Sequence, residues 1–156
     1  MKSKVLLVAL GMFSLVACTK EAVNTPADDS GAPVIPASSV PDNVVAALNT
    51  SFSGATEQEW RHSNGDQYAC QFNYDDQRHE ATYDDSGHQS SHSLICMEAP
   101  VPAVVLDAFR ADFPGDTVYE WKLTNEDTWK AHFMRNGVKW EATYNDAGTL
   151  LKVEND

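Results

Sequence analysis

The sequence predicts an α+β fold: a tandem repeat in which each unit packs one helix on a four-stranded antiparallel meander. The first observation behind this is an octapeptide, EATYDDSG at residues 80–87, which returns as EATYNDAG at residues 141–148, 61 positions later. The second is that the same offset, applied without a gap, lays Val44 on Val105, Leu48 on Phe109, Phe52 on Phe113, Trp60 on Trp121, Tyr68 on Trp129, Phe72 on Phe133 and Tyr83 on Tyr144. Self-similarity at a fixed period marks a duplicated supersecondary unit. The third is a change of apolar period inside each copy, from steps of about four to strict alternation.

Each copy opens on Val-Pro, followed by PDNVVAALNTSF in the first and PAVVLDAFRADF in the second. Val44, Leu48 and Phe52, and likewise Val105, Phe109 and Phe113, fall on one face of a helix. Proline suits the opening turn, where its missing N–H has no partner to lose, and Pro114-Gly115 stops the second helix. Alternation then takes over. Tyr119, Trp121 and Leu123 define a first strand of the second copy, Trp129, Ala131 and Phe133 a second, Trp140, Ala142 and Tyr144 a third, and Leu151 with Val153 a fourth. Asn64-Gly65 and Asn136-Gly137 are hairpin dipeptides, and the D/N-D-x-G after each EATY is the turn into the fourth strand.

These residues carry a family resemblance. V-P-x-x-V before an apolar helix, F-P-G, a strand tryptophan and Y-N-D-A-G resemble the PepSY-like, β-lactamase-inhibitor-like domains of secreted and lipid-anchored bacterial proteins. The resemblance spans both copies and implies a helix layer on an antiparallel sheet, two units in tandem. Inhibitors of that type grip a protein target on the open face of the sheet. No contact motif of theirs is present, so the resemblance implies the fold and the kind of surface.

The ends of the chain predict where the protein works. MKSKVLLVALGMFSLVAC has two lysines, an apolar run and a small residue before Cys18, as an export signal does. The apolar run is shorter than the roughly 20 residues a membrane-spanning helix needs. Leu15-Val16-Ala17-Cys18 resembles the bacterial lipobox, which implies cleavage before Cys18 and lipid on it. The expected organisation is a lipoprotein signal peptide over 1–17, lipidated Cys18 with a disordered tether over 18–40, and PepSY-like repeats over 41–96 and 97–156. The tether reading rests on Pro, Ala, Ser, Thr and Asp, which cannot bury enough surface to order themselves. The expected location is the cell envelope, at the outer membrane, facing the periplasm or the surface.

Formal net charge is -12, and loss of Lys2 and Lys4 with the signal takes the mature chain to about -14. That excludes nucleic acid as a natural partner and leaves the lipid as the contact with an anionic membrane. Once Cys18 is lipidated, Cys70 and Cys96 remain as an even pair outside the cytoplasm, so a disulfide between them is expected. It requires the chain at Cys96 to leave the sheet. Second and fourth strands of a meander lie about 9.5 Å apart, beyond the roughly 7 Å Cα limit of a disulfide.

Four histidines, His62, His79, His88 and His92, fall in the first copy, and His88 with His92 share a strand face, as zinc or copper ligands would. Their counterparts Leu123, Trp140, Thr149 and Val153 make them ordinary sheet positions, so no metal and no cofactor is expected. Asp84-Asp85 lacks the ligand ladder of a calcium loop. No nucleophile motif, H-E-x-x-H or phosphate loop is present, and no enzyme is expected. What remains is the polar sheet face: Glu57, Glu59, Arg61, Gln71, Glu80, Glu120, Lys122, Lys130, His132, Met134 and Glu141. The expected function is a lipid-anchored envelope protein that binds a protein or peptide there, in the manner of an inhibitor of an exported enzyme. The other reading is a structural or sensory envelope lipoprotein without an enzyme target.

Overall fold

The computed structural model describes residues 32–155. The signal segment, Cys18 and most of the expected tether lie outside these residues. Helix α1, Asp42–Ser51, is followed by β1, Thr56–Ser63, β2, Gln67–Tyr74, β3, Gln77–Asp84, and β4, Gln89–Cys96. The order then repeats with α2, Ala103–Asp112, β5, Val118–Thr124, β6, Thr128–Arg135, β7, Val138–Asn145, and β8, Leu150–Asn155.

The duplication is written into the backbone. Pro41 and Pro102 sit just before the helices with φ/ψ of -55/137 and -56/136, and Phe52 and Phe113 close them at -128/65 and -129/62. Steps of four bury Val44 and Leu48 from α1, and Val105 and Phe109 from α2. At the β6–β7 hairpin Asn136 and Gly137 both take positive φ, as a two-residue turn of this hand demands, and Asp75-Asp76 does the same between β2 and β3.

The expected pair of helix-plus-four-strand units does not form. All eight strands make one antiparallel sheet in chain order, β1 to β8, so the chain is a single, mostly β unit with two short helices. The reason lies in β4. Its last residues, Ser93 to Cys96, pair with Thr124 to Trp121 of β5, and Leu94 and Cys96 pack into the apolar cluster around Val105, Phe109 and Trp121. A β4 left as the rim of a separate meander would expose a row of unpaired backbone donors and acceptors, and pairing with β5 removes that edge. A second cluster, built on Val44, Leu48, Trp60, Phe72 and Tyr83, lies under α1 on the same face.

The end of the expected tether is ordered. Ile35 N–H donates to Trp60 O at 2.8 Å, a short 3₁₀ turn covers Ala37–Ser39, and Val40 is buried. Ile35 stands 61 residues before Cys96 and meets Trp60 as Cys96 meets Trp121. Each helix is thus preceded by a residue laid against the strand that follows it, and burial of Ile35 and Val40 against the first core offsets the ordering that composition alone disfavours.

The expected Cys70–Cys96 disulfide is not formed: Cys70 is a free, buried thiol. Cys96 stays within β4 instead of turning toward the helix. Cys70 opposes Ala81, and Ala81 opposes His92, so Cys96 lies two strands away and four residues further along. At ordinary strand spacing and rise that is roughly 16 Å.

The repeated octapeptide has a packing role. Gly87 and Gly148 take φ of +84 and +77 at the turns into β4 and β8, where each is pressed on the first turn of a helix. A Cβ on Gly87 would lie 2.9 Å from Asn43 O, and one on Gly148 would lie 2.7 Å from Val104 O. Asn43 adds a side-chain bond to Asp85 O at 2.8 Å. The motif therefore docks the turn on the helix, twice.

Candidate binding face

Strand alternation sends every second side chain away from the helices. Among the residues expected there, Glu59, Arg61, Gln71, Glu80, Glu120, Lys122, Lys130, His132 and Glu141 lie together on the open face through the registers Glu59↔Gln71↔Glu80, Glu120↔His132↔Glu141 and Lys122↔Lys130. Met134 is exposed at its rim. Glu57 departs from the expected position: it takes a positive φ in an irregular stretch of β1 and accepts a hydrogen bond from Asn73.

An open sheet face of this composition ordinarily splays its charges into water. Here Arg61, Gln71, Glu120, Lys122, His132 and Glu141 are all between 3% and 9% exposed. All of these but Glu120 border a hollow of about 700 Å³ that also takes Glu80, Lys130, Ala69, Thr82 and Ser91 from the middle strands, Glu154 and Asn155 from β8, and Ala32 beside β1. Residues of both outer strands line one hollow, so the sheet curls around it. Sequence reasoning omitted Ala69 and Thr82, although they share the parity of Gln71 and Glu80 on their own strands, and it omitted Ser91 and Glu154, whose strands β4 and β8 supplied none of the expected residues.

The charges are cross-linked. Lys122 Nζ meets Glu80 Oε1 at 3.0 Å and Glu120 Oε1 at 3.2 Å, and Gln71 Nε2 donates to Glu80 Oε2 at 3.0 Å. Burial by itself would raise the Glu80 carboxyl, but the Lys122 ammonium and the Gln71 amide hold it below the usual carboxylate range. Lys122 comes from β5 and Glu80 from β3, so this pair spans β4 and ties the halves of the sheet. Further along, Glu141 takes Lys130 at 2.9 Å and Thr143 Oγ1 at 3.3 Å, with His132 Nε2 at 3.5 Å. Toward β1, Glu59 holds Arg61 at 3.3 Å and Arg78 at 3.2 Å.

Of the four histidines, His79 pairs with His92, and His88 does not. His88 is exposed beside the turn. His79 and His92 stack at 5.2 Å on the helix side, their Nδ1 and Nε2 atoms 2.9 Å apart, against Phe52 and Phe72. His79 Nε2 faces Tyr74 O at 3.0 Å and therefore carries its proton there, which leaves Nδ1 to accept from His92. Burial holds both imidazoles below their usual range. Among the described residues no group of three or more His, Cys, Asp or Glu could hold a metal ion.

No protein-family model matches the chain. No curated protein matches it either. Solved structures do. A DUF2874 family protein from Bacteroides uniformis superposes with a TM-score of 0.60 at 18% identity, over 74% of this chain and 89% of that one. A protein provisionally classed as periplasmic, from Bacteroides eggerthii, gives 0.59 at 19% identity over 74% and 88%. A BLIP-like protein from Bacteroides fragilis gives 0.56 at 18% identity over 82% and 91%. At such identities the likeness is one of fold: these structures share the antiparallel sheet with two helices.

Proposed function

We propose that the protein is a binding module of the cell envelope that grips a protein or peptide on the hollow, open face of its sheet and is held to a membrane by lipid on Cys18. The observation that carries this reading is the burial of Arg61, Gln71, Lys122, His132 and Glu141 around that hollow. Long side chains already fixed in ion pairs lose little further freedom when a partner covers them, which lowers the cost of association. Glu80, Glu120 and Glu141 stand beside Arg61, Lys122 and Lys130, so the face offers both charge signs to a polar partner. The fold shared with a BLIP-like and a periplasmic-type structure supports a partner of protein kind and an envelope setting, and the lipobox resemblance at residues 15–18 supports the anchor.

Capture from an envelope extract tests the reading. Wild type recovers one stoichiometric partner. Ser91→Arg, an exposed change on the rim of the hollow, loses it, and Asp107→Arg on the outer side of α2 keeps it. Equal recovery by both variants would place the partner elsewhere. The anchor is read separately: the mature N-terminus carries acyl chains by mass spectrometry, and Cys18→Ala abolishes them.

A further inference from the structure

The outer edge of β8 is unpaired among the described residues, and three of its side chains are exposed and apolar: Leu150 at 37%, Leu151 at 54% and Val153 at 38%. The fold does not require them to be apolar. At the same positions of the first half stand Gln89, Ser90 and His92, on the same backbone with the same register irregularity. A bare edge strand with apolar side chains invites another strand.

Its polar groups point outward. His92 O on β4 faces the following half and accepts from Asn125 N at 3.1 Å. Val153 occupies the equivalent place on β8 opposite Ala142, as His92 does opposite Ala81, so its C=O and N–H face away from β7.

The charges flanking Val153 identify the strand that fits. Lys152 and Glu154 lie on the open face, opposite Thr143 and Glu141. In an antiparallel sheet directly opposed residues share a face, so two β8 strands related by a twofold axis can meet only with that axis at a residue. Centred on Lys152 the pairing sets lysine against lysine, and centred on Glu154 it sets glutamate against glutamate. Centred on Val153, it sets Lys152 against Glu154 of the other copy at both ends and joins the two valines on the helix side. β8 is therefore self-complementary in one register, as a twofold interface must be.

We propose that the free edge of β8 is a self-association edge, on which a second copy of this chain pairs its own β8, antiparallel, about Val153. The two sheets become continuous, with both open faces on the same side. The Lys152–Glu154 contact within each strand, 2.6 Å, is shared across the pair.

A charge exchange tests the pairing without touching the core. The full chain, purified in detergent at physiological salt, sediments as a concentration-dependent dimer. Lys152→Glu opposes two glutamates at each end and weakens the dimer about tenfold or more, and Glu154→Lys does the same with lysines. Mixing the two single variants restores dimer at the wild-type concentration, and so does the double exchange in one chain. A wild type monomeric at all concentrations overturns the proposal, as when a segment of the same chain or a different protein covers the edge. A dimer indifferent to both charge changes overturns it too.

Discussion

Replacing Gly148 by alanine probes the contact that the repeated octapeptide exists to make. Gly148 has φ +77, and its missing Cβ would lie 2.7 Å from Val104 O and 3.1 Å from Val104 Cγ2. Alanine pays for the left-handed backbone with about 1–2 kcal/mol. The added carbon must also push the first turn of α2 off the sheet, and overpacking of this kind costs about 1–3 kcal/mol. Gly137→Ala is the control, because Gly137 has nearly the same φ, +78, and nothing within 4 Å of its Cβ position. The urea-unfolding midpoint of Gly148→Ala is therefore expected to fall further than that of Gly137→Ala, by an amount worth about 1–3 kcal/mol. Equal losses for the two variants would falsify the idea that the turn is docked on the helix.

Stability falls as pH drops through 6.5, the ordinary histidine value, because burial holds His79 and His92 below it and the unfolded chain then binds more protons than the folded one. The slope, read by chemical denaturation, disappears in His79→Trp/His92→Val, which copies the second half; an unchanged slope in that variant contradicts the assignment. The Glu80 carboxyl is held low by Lys122, so its contribution is present above about 4.5 and lost further into acid, in a separate window. Burial pushes the Cys70 thiol up to about 12, so it should resist alkylation in the native protein and react only on unfolding; rapid native labelling at Cys70 contradicts its place in the core. A fragment of residues 102–156 lacks Leu94 and Cys96, which close the core under α2. It is expected to show no cooperative melt, and a melt matching the whole protein's refutes the single-sheet account.

What could be read from the sequence is what periodicity controls. Helices announced themselves by Val44-Leu48 and Val105-Phe109, strands by the alternation around Trp121 and Trp129, and the polar face followed from parity alone. The joining of the two halves was not legible, because β4 has the same alternation whether its outer edge meets water or β5. Only the backbone pairing of Cys96 with Trp121 decides between them. The missing disulfide has the same origin: parity of cysteines carries no information on strand order. Ile35 was hidden by its neighbours, since a Pro-rich composition masks one residue that finds an edge to lie on. The hollow was hidden too, because curling of the sheet is a property of all eight strands and no single segment encodes it.

Site-specific photo-crosslinking in living cells reads whether a partner sits in the hollow of the open face. With the photoreactive residue at Thr82 or at Ser91 on the rim, both of which line the hollow, one crosslinked protein partner is expected, and with it at Ala108 or Asp107, on α2, none. A partner captured from α2 and absent from Thr82 and Ser91 would place the binding surface on the helices and not in the hollow.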